Sequence, residues 1–140
     1  MKKIFVIYGH YNNKSFTCAI KDTFIDEARK NDHEIDIVDL YKDKFNPVFA
    51  GELADEAIKN YQSRIDKADV IVFIYPIWWF RAPAIVEGFI DRVFTPPWAF
   101  KFKKVIGYYG YPVGKLKNKR AIIFNAYGSP RFATVLFFLN

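Results

Sequence analysis

Apolar positions along the chain switch between two spacings, one that suits a strand and one that suits a helix. Residues 3–8 form a β-branched and aromatic run, and residues 15–31 set Phe16, Ala19, Ile20, Phe24 and Ala28 on one helical stripe. Residues 34–40 alternate Ile35 and Ile37 with Asp36 and Asp39, and residues 52–68 repeat Ala54, Ala57, Ile58, Tyr61, Ile65 and Ala68 at helical spacing. The apolar run 69–75 reads as a buried parallel strand. Pro83 then suits the first turn of a helix that carries Ile85, Val86, Phe89, Ile90 and Val93. Residues 120–125 predict a fourth strand, followed by a short apolar tail, residues 132–139, read as a fourth helix. The alternation βαβαβαβα implies a parallel sheet with helices on both faces and right-handed crossovers. A doubly wound sheet of order 2-1-3-4-5 needs a fifth strand after the fourth helix, and this sequence stops at Asn140 inside that helix. The expectation is a sheet of order 2-1-3-4 that lacks the usual C-terminal strand and helix and whose last strand is an exposed edge, inviting dimerisation or partial instability, or else marking a truncated gene product.

Composition narrows the class without changing this picture. With 140 residues, 51% hydrophobic and 19% aromatic, residues 1–140 are expected to form a single domain with one core. One cysteine, Cys18, excludes an internal disulfide, and no secretory leader pattern opens the chain, so a cytoplasmic location is expected. The longest apolar run, 70–80, is too short to cross a bilayer, and membrane insertion is not expected. Net charge is +6, with Lys101, Lys103, Lys104, Lys115, Lys117, Lys119 and Arg120 in the densest cluster. That stretch reads as a solvated loop and strand approach, or as an attractor of anionic ligands such as nucleotide phosphates. No helix-turn-helix, zinc-finger or RNA-binding signature accompanies it, so nucleic acid is not an expected partner.

Three loops at the carboxyl ends of strands carry the candidate chemistry, the place where open α/β sheets bind ligands. Strand three empties into Pro76, Ile77, Trp78, Trp79 and Phe80, which suit either a flat aromatic ligand or core and interface packing. Strand one is followed by Gly9-His10-Tyr11-Asn12-Asn13-Lys14-Ser15, a polar loop entering a helix whose first-turn N–H groups face an anion; Ser15 can cap, Lys14 adds charge and His10 can donate. An ordinary N-capped loop is the alternative. The loop after strand four holds Asn125-Ala126-Tyr127-Gly128-Ser129-Pro130, a third ligand loop or simply a turn. Gln62 lies on the apolar stripe of helix two, where it faces a ligand or bonds to backbone. No glycine-rich dinucleotide fingerprint or P-loop is present. His10 and His33 have no partnered ligand spacing, so no metal is expected, and Cys18 reads as a buried structural thiol.

With these residues in hand, the chain resembles the flavodoxin-like NAD(P)H:quinone oxidoreductases, a family that includes ancillary flavoprotein subunits of potassium-efflux systems. The resemblance runs over residues 3 to about 128. It rests on Gly9-His10 with Lys14-Ser15-Phe16-Thr17, on Ala68-Asp69, and above all on Tyr75-Pro76-Ile77-Trp78-Trp79-Phe80 with Pro83-Ala84-Ile85-Val86-Glu87-Gly88 and Asp91-Arg92-Val93-Phe94. It implies a flavodoxin-like doubly wound parallel sheet and a bound flavin, FMN or FAD, reduced by NAD(P)H. By position, His10, Lys14, Ser15, Phe16 and Thr17 resemble the residues that hold the flavin phosphate and ribityl chain, and Gln62 matches a glutamine near the flavin. Pro76, Ile77, Trp78, Trp79 and Phe80 look like the loop whose backbone and rings border the isoalloxazine, with Asn125, Ala126, Tyr127 and Gly128 as the third wall. Phe100 and Phe102 fall where relatives place aromatic residues that cover substrate from the partner subunit, which implies a homodimer. Many relatives carry Thr-Thr-Gly-Gly in the third loop and then a Tyr and a His; this chain departs with Asn125-Ala126-Tyr127-Gly128 and Ala133, leaving the proton to solvent.

The expected function is a flavin-dependent NAD(P)H oxidoreductase that passes hydride to quinone-like acceptors. A regulatory or ancillary flavoprotein subunit of a potassium-efflux-type transporter is the alternative. A one-electron carrier fits less well, because such carriers are acidic and use a Thr/Ser-rich phosphate loop.

Overall fold

The computed structural model describes residues 1–51, 55–107 and 109–130. Its centre is a four-stranded parallel sheet, built from β1 (Lys3–Tyr8), β2 (Glu34–Asp39), β3 (Val70–Pro76) and a last strand, β6 (Arg120–Ala126), in the order β2-β1-β3-β6. β1 pairs in parallel with β2 from Lys3↔Glu34 and with β3 from Ile4↔Val70, which explains its unbroken apolar run. β3 pairs with β6 from Val70↔Arg120 to Pro76↔Ala126.

Strand alternation sorts the core into two layers. Ile4, Val6, Tyr8, Val72 and Ile74 pack against α1 (Phe16–Lys30) through Cys18 and Ala28. Phe5, Ile7 and Ile71 point to the opposite face, where α2 (Glu56–Lys67) and α3 (Ala84–Val93) contribute Ile58, Ile65, Val86, Phe89 and Val93. Fully burying one such side chain contributes about 1.5–3 kcal/mol, so the two-sided β1 anchors both layers. The doubly wound α/β architecture with helices on both faces is the expected one.

α1 and α2 begin where the sequence supplies a side-chain cap, whereas α3 follows Pro83 without one. Ser15 Oγ accepts the N–H of Cys18 at 3.1 Å, and Asp55 Oδ1 accepts that of Ile58 at 2.9 Å. The expected start of α2 near Glu52 is moved to Glu56 by the Asp55 cap; residues 52–54 lie outside the described residues, as does the apolar tail 132–139. The loop between β2 and α2 is pinned on α3. Arg92 donates to Asn46 O at 2.6 Å and to Asp55 Oδ2 at 2.8 Å, and Gly88 has no room for a Cβ because Pro47 fills it.

One element differs from expectation. The basic stretch after Phe100 is not a solvated loop but an antiparallel hairpin of β4 (Phe100–Ile106) and β5 (Tyr109–Gly114), paired from Phe100↔Gly114 to Ile106↔Tyr109. Lysines alternating with Phe100, Phe102 and Val105 hid the strand, because both faces of the ribbon are largely exposed and neither shows a core pattern. The hairpin forms its own two-stranded sheet. Lys115 N–H donates to Ala99 O and its Nζ to Pro97 O, each at 2.8 Å, tying the base of the ribbon down.

Candidate functional site

The carboxyl ends of β1, β2 and β3 meet in an aromatic cluster. His10 and Tyr11, just after β1, stack at 4.9 Å and 15°. Trp78, from the loop after β3, meets the His10 ring edge-on at 5.8 Å and the Tyr11 ring at 6.0 Å. Tyr41, after β2, reaches Tyr11 at 6.1 Å. The sequence reading named His10 and Trp78 but missed Tyr11 and Tyr41. The available signal was the sheet rule itself, since the loop after β2 opens beside the point where strand order reverses. Burial pushes the Tyr41 hydroxyl above its ordinary value, with Tyr11 adding to the effect.

The loop after β3 owes its shape to a tight reversal. Trp78 N–H donates to Arg81 O at 2.9 Å and Arg81 N–H to Trp78 O at 3.0 Å, closing a two-residue turn over Trp79 and Phe80. Both central residues are left-handed, with φ of 51° and 64°. That is the geometry that normally selects Asn-Gly, and two bulky aromatics hold it here at a cost of about 1–2 kcal/mol each. Arg81 grips Glu87 on α3 through two bonds of 2.9 and 2.7 Å, which fastens the turn to the helix. The result presents Trp79 with 91% of its surface exposed.

The backbone donors of this loop are not all open to a ligand. Ile77 N–H is taken by Ala126 O at 2.9 Å, and Trp78 and Arg81 are taken by the turn. The Ile77 bond joins the β3 loop to the end of β6, so Ala126 is structural backbone at the seam while Asn125 and Tyr127 are exposed beside it. Burial raises the Tyr75 hydroxyl, with a smaller push from Tyr127.

The loop after β1 is a cradle of donors. Asn12 N–H lies 2.9 Å from His10 Nδ1, which is also 3.2 Å from Asn12 O, and Asn12 Oδ1 accepts Lys14 N–H at 2.9 Å. These bonds curl the loop over the start of α1, where helix geometry leaves the first-turn N–H groups of Phe16 and Thr17 without intrahelical acceptors. The Thr17 side chain is buried and Phe16 is exposed, so their main-chain N–H groups, Lys14 and His10 form the donor set. No carboxylate lies in residues 9–17, and this chemistry fits a phosphate. Beneath the cap, Tyr8 holds a fully buried hydroxyl near Ser15 and Cys18 without a hydrogen bond of good geometry, and burial raises it strongly.

Other expected residues stand apart. Gln62 is buried on α2, and its Nε2 donates to Val93 O at 2.9 Å, so it binds backbone at the far end of α3 from the Trp78 turn. Phe100 and Phe102 meet each other edge-on at 5.5 Å on the hairpin, with Phe102 exposed. Among the described residues no helix is long and apolar enough to cross a membrane.

Known proteins share this architecture. An uncharacterized NAD(P)H oxidoreductase of Haemophilus influenzae is 33% identical over 133 residues, covering 89% of this chain and 63% of its own length. NAD(P)H dehydrogenase [quinone] 1 of Cavia porcellus is 26% identical over 148 residues, covering 88% of this chain and 52% of its own. The chain therefore spans roughly half to two-thirds of the length of the curated relatives it matches. A crystal structure of a Streptococcus mutans UA159 protein superposes with a TM-score of 0.81 at 32% identity, over 96% of this chain and 72% of that one. The model of a family described by its flavodoxin-like fold matches residues 2–136, and with the sheet order and carboxyl-end loops above, this chain belongs to that family.

Proposed function

We propose that this chain is a flavin-dependent NAD(P)H oxidoreductase of the cytoplasm, acting on quinone-like acceptors. The observation that carries the reading is the strained two-residue turn at Trp79 and Phe80. A backbone held in a costly conformation, clamped by Arg81 and Glu87, presents the exposed Trp79 indole next in the chain to Trp78, whose ring meets those of His10 and Tyr11. Strain of this kind persists where a site needs a fixed platform, and an aromatic platform suits a flat ring.

In this reading the donors at the start of α1, with Lys14 and His10, hold the phosphate of FMN or FAD. The Trp78 turn sets one wall for the ring, and Asn125, Tyr127 and Gly128 set another. When bound, the flavin supplies two-electron chemistry, taking hydride from NAD(P)H and giving it to an acceptor. The protein's part is positioning: a rigid wall holds the reacting faces in register, and stacked side chains exclude water. No side chain is assigned to proton transfer, so the reduced acceptor takes its proton from solvent. The hairpin supports a homodimer. An isolated two-stranded ribbon is marginal in water, and one carrying exposed Phe102 gains by lying over a second copy's site.

The test is a visible spectrum of the purified protein after addition of FMN or FAD, followed by anaerobic NADPH or NADH. A bound yellow flavin that bleaches with reductant and recovers with a quinone supports the reading. A colourless protein, or a bound flavin that neither nucleotide bleaches, overturns it.

A further inference from the structure

Of the four rings that meet at the carboxyl ends of β1, β2 and β3, the flavin reading uses His10 and Trp78 and leaves Tyr11 and Tyr41 without a task. Packing does not account for Tyr11. It keeps 64% of its surface exposed and belongs to neither layer of the core. It is nonetheless held by three neighbours: His10 stacks on it at 4.9 Å, and the rings of Tyr41 and Trp78 approach at 66° and 49° from centroids 6.1 and 6.0 Å away. An exposed ring fixed on several sides is a prepared surface for another flat ring.

The loop that carries Tyr41 is fixed as firmly. Asp39 Oδ1 accepts the N–H groups of Tyr41 and Lys42 at 3.2 and 3.1 Å. The N–H groups of Asp43 and Lys44 close on Asp39 O and Tyr41 O at 2.8 and 3.2 Å, and that of the buried Phe45 closes on Leu40 O at 2.9 Å. Lys44 completes the turn in the left-handed conformation, at φ 51°. Lys42 and Lys44 are exposed, and among the described residues neither ammonium group is in an ion pair.

Phosphate-binding groups thus follow both tyrosines in the chain. Tyr11 leads into the donor loop of Asn12, Asn13 and Lys14, and Tyr41 leads into Lys42 and Lys44. Aromatic rings with such groups a residue or two further on match an adenosine diphosphate unit, whose purine offers a flat face and whose phosphates hang from the same ribose. A quinone carries no phosphate, and a nicotinamide must lie against the flavin ring to give up its hydride, so neither calls for this seat.

We infer that the Tyr11 and Tyr41 rings seat the adenine of a dinucleotide. Two sources carry that group: FAD, whose phosphates the loop after β1 would hold, and NAD(P)H, whose phosphates Lys42 and Lys44 would attract. Trp78, one wall of the flavin site, borders the seat, so the two lie side by side. The source of the adenine rests on the reading of this chain as a flavin-dependent NAD(P)H oxidoreductase, whereas the purine seat itself rests on the ring geometry.

The test begins with the whole chain freed of flavin, by calorimetry with ADP and with inorganic pyrophosphate. The parent should bind ADP about tenfold more tightly than pyrophosphate, the margin that stacking one base on an aromatic ring supplies. Tyr11→Ser, a change at an exposed position, should remove that margin, and Tyr11→Phe should keep it. The source is then read from two ratios. If the adenine is that of FAD, the parent prefers FAD to FMN and Tyr11→Ser abolishes the preference. If it is that of the reductant, FAD and FMN bind alike, and Tyr11→Ser raises the KM for NADH or NADPH about tenfold relative to that for N-benzyl-dihydronicotinamide, which has no adenine. A parent that binds ADP no better than pyrophosphate, or an ADP preference indifferent to Tyr11→Ser, overturns the inference whether or not flavin binds. So does an ADP preference that neither ratio reflects in a chain that binds flavin. A chain that takes up no flavin but keeps a Tyr11-dependent ADP preference overturns the flavin reading and leaves the purine seat standing.

Discussion

Val86 Cγ2 occupies the space that a Cβ on Gly9 would need. The end of β1 and the first turn of α3 therefore touch through a missing side chain, and the loop carrying His10 takes its height above the sheet from that contact. Gly9→Ala is expected to force the two apart, lowering stability by about 1–3 kcal/mol in a urea titration and weakening flavin binding. An unchanged midpoint would show that the loop can yield without cost.

The left-handed turn predicts stability and binding moving in opposite directions. Trp79→Gly removes a bulky residue from φ 51° while giving up little buried surface, since Trp79 is 91% exposed. The variant should gain about 1 kcal/mol in thermal or urea unfolding and bind flavin more weakly. Tighter or equal flavin binding would remove the platform role from Trp79.

For Gln62 the bond to Val93 O predicts a structural phenotype. Gln62→Leu leaves a carbonyl at the end of α3 without its partner, at a cost of about 1–3 kcal/mol. Flavin affinity, measured below the unfolding range, should stay at the parental value. A selective loss of affinity would return Gln62 to the binding site.

Acid sensitivity should appear at the cap of α2. The Ile58 N–H holds the Asp55 carboxyl below its usual range, and Arg92 adds to this. A depressed folded-state value means that the stabilisation is present above the ordinary aspartate value near pH 3.8 and is lost as pH falls through the folded value. Asp55→Asn keeps a capping oxygen but cannot titrate, so its unfolding midpoint should vary less with pH between about 5 and 2 than the parent's. Parallel pH profiles for the two proteins would contradict this.

Legibility tracked the kind of signal each element left. The β1 and β3 runs, the α1 stripe and the α3 periodicity were plain, because burial on two faces or one leaves a regular apolar record. The β4–β5 hairpin was not, because an exposed ribbon of alternating lysine and aromatic residues lacks that record. At the candidate site, His10 and Trp78 were named from loop position, whereas Tyr11, beside His10 in the same loop, and Tyr41 were not singled out. Their meeting depends on where β2 lies beside β1, and local spacing does not encode that adjacency. The resemblance marked Gln62 as a ligand residue, but its partner on α3 is 31 positions away and emerged only from packing.

By itself, then, the sequence determined the alternation of strands and helices, the capping of α1 by Ser15 and the concentration of chemistry in the loops after strands. Those depend on periodicity and on residues that act on near neighbours. The tertiary structure decided which loops share a cluster and which backbone donors the Trp78 turn consumes. Those depend on strand order and register, which bring distant residues within a few ångströms and leave no local trace in the chain.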